Sequence, residues 1–445
     1  MKFYITTYGC QMNVRDAEAA EALLQRGGHV VAATEDAADV VIVNTCSVRE
    51  KAEAKALGKL GLLVAGKRER PGRLVGAMGC MVQRLGTDLF RKVPGVDFAV
   101  GTQVLARLPD VLARAARGEG AILEAGPNGD RQADLDGHRD GGASAFVNIL
   151  LGCDRQCSYC VVPAVRGAEW SRPAMDILRE VRAVAARGIR EVTLLGQSVM
   201  SYGRKNAVWP DEYRSPRGLV EPLPRLLEAI QAVEGVARIR FTTGHPSGCT
   251  AELARAMAEL PAVCEHLHLP CQSGCDRILQ MMRRGYQADD YRQAVARLRR
   301  AVPALALTTD IIVGFPGEQE RDFEMTMDLL EKVQYDGIFA FKYSKRPGTA
   351  ALKLNDHLPD DVKEKRLAQV LDLQGKMTSR SNEKLVNSVQ EVLVDGLSKK
   401  GGTLSARTRG NKAVNIDAPS VLIGSLVLVK IIAAGVNSLT GQLCE

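Results

Sequence analysis

Short β-branched and apolar runs alternate with longer stretches whose apolar positions recur every three or four residues, the signatures of strands and amphipathic helices. Up to residue 118 the runs fall at Phe3–Thr7, Val40–Asn44, Arg73–Gly76 and Val96–Val100, between alanine-rich helical patterns. Strands separated by helices pair in parallel, because a parallel neighbour needs a long crossover. Residues 1–118 therefore predict an α/β domain. From Gly118 to Ser144 the chain is rich in Gly, Asp and Ala with hardly any apolar period, and 119–138 is assigned as a linker. Six further runs follow in 139–371: Phe146–Leu151, Glu191–Leu195, Arg238–Thr242, His266–Leu269, Ala306–Val313 and Ile338–Tyr343. Helical patterns lie between them, which predicts an incomplete (β/α)6 barrel. The polar stretch Ser201–Glu221, with two prolines, reads as a loop on its rim. Residues 374–440 change to short runs at Glu391–Val394, Ala413–Ile416 and Ser425–Ile432, a small all-β barrel.

Composition narrows what this scaffold does. The 445 residues exceed one core at roughly 150 residues per domain, and no apolar run nears the roughly 18 residues that span a bilayer. The start, MKFYITTYGC, reads as a strand rather than a secretory signal, so a reducing cytoplasm and no membrane are expected. There, 11 cysteines point to metal or catalytic chemistry rather than disulfides. A net charge of +7 favours a polyanionic partner. Neither a GxGxxG nor a P-loop pattern is present.

In FVNILLGCDRQCSYC, a strand is followed within eight residues by Cys153, Cys157 and Cys160. Three thiolates in so short a loop suit an iron–sulfur cube whose fourth iron stays open; structural zinc would want a fourth ligand nearby. Cys10, Cys46 and Cys80 are far apart in sequence, yet each directly follows a predicted strand of the first domain. Ligand crevices of open parallel sheets lie beyond the carboxyl ends of strands, so these thiols are expected to converge, although each alone would read as a buried cysteine. Cys271 and Cys275, in LPCQSGC, lie just past a barrel strand. His266 and His268 share a strand face and, with Asp310, leave open a metal-dependent hydrolase of another class.

CDRQCSYC carries the CxxxCxxC signature of the radical S-adenosylmethionine superfamily. YGCQMN, NTCSVRE, Gly79–Cys80, YCVVPAVRGAEWSRP, TDIIVGFPGE and FKYSKRPGTAA extend the likeness almost end to end, and the chain resembles the methylthiotransferase family. GCQMN with NTCSVRE is most similar to the branch that modifies N6-(dimethylallyl)adenosine at position 37 of tRNA. The other branches act on threonylcarbamoyladenosine or a ribosomal-protein aspartate. Ser198, Met200, Cys271 and Cys275 depart from the family pattern without touching a cysteine of either triad.

The resemblance implies a Rossmann-like first domain, a partial radical barrel and a TRAM module. It implies two 4Fe-4S clusters as cofactors, on Cys153, Cys157 and Cys160 and on Cys10, Cys46 and Cys80. The first would cleave S-adenosylmethionine to a radical that takes hydrogen from adenine C2, and the second would deliver methylated sulfur. Adenine C2 carries an inert C–H bond that acid–base chemistry does not activate, so a radical source is what the reaction needs. Tyr159 is expected against the cofactor adenine, and Gln197, Gln272 and Ser273, ending barrel strands, as further cofactor contacts. Lys399, Lys400, Arg407, Arg409 and Lys412, with no acidic residue between Ser398 and Lys412, are expected to meet RNA phosphates. The implied partners are the tRNA anticodon stem-loop, whose unpaired bases can be splayed out, and an electron donor such as flavodoxin or ferredoxin; a monomer is expected.

Overall fold

The computed structural model describes residues 1–47, 50–126, 137–138, 142–398 and 401–444. They form two compact units: Met1–Arg139 with Leu151–Arg155 and Cys160–Arg172, and Asp140–Leu150 with Gln156–Tyr159 and Pro173–Glu445.

In the first unit six parallel strands line up in the order Val30–Val31, Lys2–Tyr8, Val40–Thr45, Leu74–Gly79, Phe98–Val100, Ile122–Glu124. The side-chain period of two sorts the central strand between two cores. Val40 and Ile42 join Phe3, Leu24 and Phe98, whereas Val41 and Val43 join Leu60, Val75 and Met81. Both faces are covered by helices, so all six residues of Val40–Thr45 are buried. The four expected strands are present. Two edge strands were not foreseen: Val30–Val31, and Ile122–Glu124, which corrects the linker assignment because it pairs with Phe98–Val100. Further along the assigned linker, the Gly137 carbonyl accepts a hydrogen bond from buried Arg15 at 2.6 Å.

In the second unit the strands Ser144–Asn148, Glu191–Leu195 and Arg238–Phe241 form one parallel set, and His266–His268, Ala306–Val313 and Gly337–Lys342 another. A bridge between Ile239 and Val263 joins them, with Ile239 N–H donating to Ala262 O at 2.7 Å. Six strands therefore follow one another in chain order, as expected, and no ladder joins the last to the first among the described residues. Leu267, Leu307, Ile311 and Ile338 face the helical layer and belong to the main core. Thr308, Asp310 and Phe339, in the opposite phase, are only partly buried or exposed and line the inner face.

The helix Asp360–Glu383 leads into a closed five-stranded barrel: Val389–Leu397, Leu404–Thr408, Ala413–Ile416, Leu439–Leu443 and Leu426–Ala434 in spatial order. Closure removes every exposed sheet edge. The helix runs across residues 371–374, where the sequence reading set a domain boundary. The barrel docks on the amino-terminal ends of the core strands through ion pairs that join Arg238 to Glu391 (2.8 Å), Glu265 to Arg409 (2.7 Å) and Asp336 to Lys412 (3.0 Å). No helix of the described residues is long and apolar enough to cross a membrane.

Candidate functional site

The register of the first sheet gathers the scattered cysteines. Tyr8 pairs with Thr45, and Thr45 with Gly79, so three adjacent strands stop at one level. Cys10, Cys46 and Cys80 follow one or two residues later, at the carboxyl edge. Cys46 N–H donates to Tyr8 O at 3.0 Å, and Cys80 begins the helix Cys80–Leu85. Two buried amides tie the loops together. Asn13 Nδ2 donates to Asn44 Oδ1 (3.3 Å) and Thr45 O (3.1 Å), Asn44 Nδ2 donates to Asn13 O (2.6 Å), and Cys10 N–H donates to Asn13 Oδ1 (3.2 Å).

The charges around this triad are arranged with equal economy. Arg166 Nε donates to Cys80 Sγ at 3.2 Å, while its other nitrogens hold Asp16 at 3.1 and 2.5 Å. A hydrogen bond with Cys46 holds the Cys10 thiol down to about 6 against burial, helped by Arg166. Burial instead pushes the Cys80 thiol up, opposed by Arg166. Burial works against the Arg166 charge, but Asp16 and Cys80 outweigh it and keep the guanidinium protonated.

Of the second set, Cys153 and Cys160 belong to the first unit and Cys157 to the second. Gly152 supplies the turn into Cys153 at φ +74, where a Cβ would stand 2.0 Å from Ala168 O. Cys153 N–H donates to Gly167 O at 3.1 Å, and Val162 N–H donates to Cys160 Sγ at 3.4 Å. Around Cys157, Ser158 is pinned by its N–H to Met282 O (3.0 Å), its Oγ to Met281 O (2.8 Å) and its carbonyl to Ala351 N–H (2.7 Å). Arg284 Nη1 donates to Cys157 Sγ and to the Tyr159 hydroxyl, both at 3.4 Å.

Both sets are thiolate-only, the donor type of soft iron–sulfur centres. Among the described residues no three His, Cys, Asp or Glu stand close enough to share one metal ion. His268 does meet Asp310 at 3.4 Å, but burial and nearby Arg240 push His266 down to about 3, so it stays neutral.

The remaining expected residues divide by surroundings. Tyr159 packs half-buried beside Phe315 and Tyr343. Gln272, four residues past the strand His266–His268 and bridged to Ile311, adopts φ +69, and its buried Oε1 has no partner. Ser273 is spent on the turn, its Oγ meeting Thr326 Oγ1 at 3.2 Å and accepting Cys275 N–H at 3.2 Å. Gln197 lies half-buried just beyond Glu191–Leu195. Arg409 and Lys412, expected at phosphates, are committed to Glu265 and Asp336, whereas Arg407 keeps a half-exposed side chain 3.2 Å from Asp395. Lys399 and Lys400 lie outside the described residues. Asn13, Asp16, Asn44, Arg166 and Arg284 were missed; only the asparagines carried a signal, three residues after one cysteine and two before another.

Comparison with known proteins agrees with these parts. Residues 2–101 match the family described as uncharacterized protein family UPF0004, residues 147–330 the radical SAM superfamily, and residues 383–444 the TRAM domain. The tRNA-2-methylthio-N(6)-dimethylallyladenosine synthase of Geotalea uraniireducens is 44% identical over 99% of this chain and 98% of its own. Those of Geobacter metallireducens (45%; 99% and 98%) and Aquifex aeolicus (40%; 100% and 99%) are similar. The solved radical S-adenosylmethionine methyltransferase TsrM from Kitasatospora setae, with cobalamin and a 4Fe-4S cluster bound, aligns at a TM-score of 0.58. It is 13% identical over 88% of this chain and 80% of that one, a likeness of fold alone.

Proposed function

We propose a function that starts from kinship: this chain belongs to the tRNA-2-methylthio-N(6)-dimethylallyladenosine synthase family. It is a tRNA methylthiotransferase of the radical S-adenosylmethionine superfamily. It converts N6-(dimethylallyl)adenosine at position 37 to the 2-methylthio derivative, using S-adenosylmethionine and two 4Fe-4S clusters.

Our reading assigns one cluster to Cys10, Cys46 and Cys80 and the other to Cys153, Cys157 and Cys160. The observation that carries it is the strand register that brings three distant cysteines to one sheet edge. When bound, the clusters supply one-electron cleavage of S-adenosylmethionine and the sulfur to be transferred. The protein's share is placement. Asn13 and Asn44 fix two cysteine loops, and Arg166 and Arg284 each donate to one ligand sulfur. Tyr159, Gln197 and Gln272 are proposed at S-adenosylmethionine, with the unpartnered Gln272 Oε1 the best-supported contact, and Ser273 as the residue that holds its turn. Arg407, Lys399 and Lys400 are proposed at the RNA backbone, Arg409 and Lys412 instead as ties that hold the module in place.

We keep the expected bounds of 1–118, 139–371 and 374–440, with the first domain extended to Ile122–Glu124. A cytoplasmic monomer served by flavodoxin or ferredoxin completes the proposal. In a deletion strain, nucleoside mass spectrometry of digested tRNA should find 2-methylthio-N6-(dimethylallyl)adenosine gone and its unthiolated precursor accumulated. Unchanged nucleosides would reject the assignment, and loss of a methylthiolated threonylcarbamoyladenosine instead would move the chain to the sister branch.

A further inference from the structure

A guanidinium buried in protein is costly unless an anion meets it. Arg15, Arg166, Arg238, Arg240 and Arg366 are all buried, and each stands within 4 Å of a carboxylate: Glu18, Asp16, Glu391, Glu191 and Glu318 respectively. Arg284, only 7% exposed, differs from these five in that no carboxylate is among its partners. Its nitrogens meet Cys157 Sγ and Tyr159 OH at 3.4 Å, Tyr286 OH at 3.3 Å and Pro270 O at 3.2 Å, and its Cζ lies 5.3 Å from the Tyr286 ring centroid. Hydroxyls, a carbonyl and a ring face orient a cation without cancelling its charge. Of these partners the Cys157 sulfur is the one that, as a metal-bound thiolate, carries a full negative charge. The frame around it is rigid, since Tyr286 in turn donates to Cys271 O at 2.7 Å and Ser158 is held on three sides.

We propose that Arg284 is the resident counter-ion of the cluster centre at Cys153, Cys157 and Cys160, and that it favours that centre's reduced form. The proposal rests on the assignment of a 4Fe-4S cluster to these cysteines. Three thiolates and a cube are anionic together, and one electron from a low-potential donor adds one more negative charge with no bond or proton moved. Net charge and hydrogen bonds to sulfur are among the terms that set such potentials. A fixed cation in contact with a ligand sulfur stabilises the more negative state most. Arg284 is thus a positioning residue whose charge matters as much as its grip. The other triad differs, because Asp16 already balances Arg166.

The test uses the full-length chain carrying C10A, C46A and C80A, so that one cluster remains, loaded anaerobically and titrated with dithionite under electron paramagnetic resonance. Iron is measured first; a parent lacking about four irons per chain would defeat the cluster assignment itself. Given a loaded parent, R284Q should make reduction at least tenfold less favourable, about 59 mV for one electron, and R284K should recover most of the loss. Without iron, R284Q should melt no lower than the parent, because it removes an unbalanced buried charge. A folded R284Q that holds no iron while R284K does supports the same conclusion. An unchanged potential at equal iron, a lowered melting point of the iron-free variant, or loss of iron in both variants would overturn it.

Discussion

Asn13 and Asn44 show how few groups define the first thiol site. Both are fully buried, and between them they satisfy Cys10 N–H, Thr45 O and each other. Gly9 belongs to the same device, since a Cβ there would stand 2.2 Å from Asn13 Oδ1. Asn13→Ala removes the side-chain partner of Cys10 N–H, Asn44 Oδ1 and Thr45 O, at about 1–3 kcal/mol for each group left unsatisfied, while Asn44 Nδ2 keeps the main-chain oxygen of residue 13. It should lower the urea midpoint and cut iron from about eight to about four per chain. Iron and stability both unchanged would mean that the amide lock holds nothing. Cys10→Ala isolates the chemistry from the scaffold. It should still release 5′-deoxyadenosine from S-adenosylmethionine, read by chromatography, while forming no methylthiolated RNA; full thiolation would remove Cys10 from its assigned place.

At the scale of elements, the site depends on where strands stop. Gly79 ends Leu74–Gly79 at φ +101, and a Cβ there would sit 2.6 Å from both Asn44 Oδ1 and Thr45 O. A backbone oxygen cannot rotate away, so Gly79→Ala combines a strained φ with a clash and should cost more than about 2 kcal/mol while emptying the first thiol site of iron. Gly58→Ala is the control. It lies within the helix Glu50–Ala65 with nothing within 4 Å of a Cβ, and should stabilise by about 0.5–1 kcal/mol. If both changes had the same sign in thermal melts, strand-end geometry would not be the cause. These ends explain what the sequence could disclose. The runs of six core strands and four first-domain strands stood out between helical patterns by their apolar residues, and the cysteines followed directly. Arg166 and Cys80 are 86 residues apart, and Arg284 and Cys157 are 127 apart, contacts that no local pattern encodes. The basic tail was legible as charge, but its partners Glu265 and Asp336 were not, because ion pairing across elements leaves no periodic trace.

Across the whole molecule, the terminal barrel binds the core through charges, which makes docking sensitive to acid. Glu191, Arg238, Glu265 and Asp336 all stand at or just before the starts of core strands, so the barrel sits at the opposite end from the Gln272 turn. Burial pushes the Glu265 and Asp336 carboxyls up, but Arg409 outweighs it at the first and Lys412, with Ser381, at the second, and both end below the usual carboxylate range. A depressed carboxylate contributes stability that is complete above its unfolded value, about pH 4, and is lost as pH falls through the folded value. His266 acts earlier. Held neutral near 3 when folded, it is protonated below about 6.5 only in the unfolded chain, so stability drops from pH 6.5 downward by at most about 1.4 kcal/mol per unit. Urea titrations of iron-free protein should therefore show a gentle decline from pH 6.5 to 4 and a steeper one below. His266→Gln should flatten the first stage alone, and Lys412→Met should weaken the second, because Asp336 then loses the cation that depresses it. An unaltered slope between pH 6.5 and 4 in the glutamine variant would show that another group titrates there. The same division of labour predicts how RNA is held. Arg407→Gln should reduce the salt dependence of tRNA binding by about one counterion, whereas Arg409→Gln, which strands half-buried Glu265, should lower stability and leave that slope unchanged.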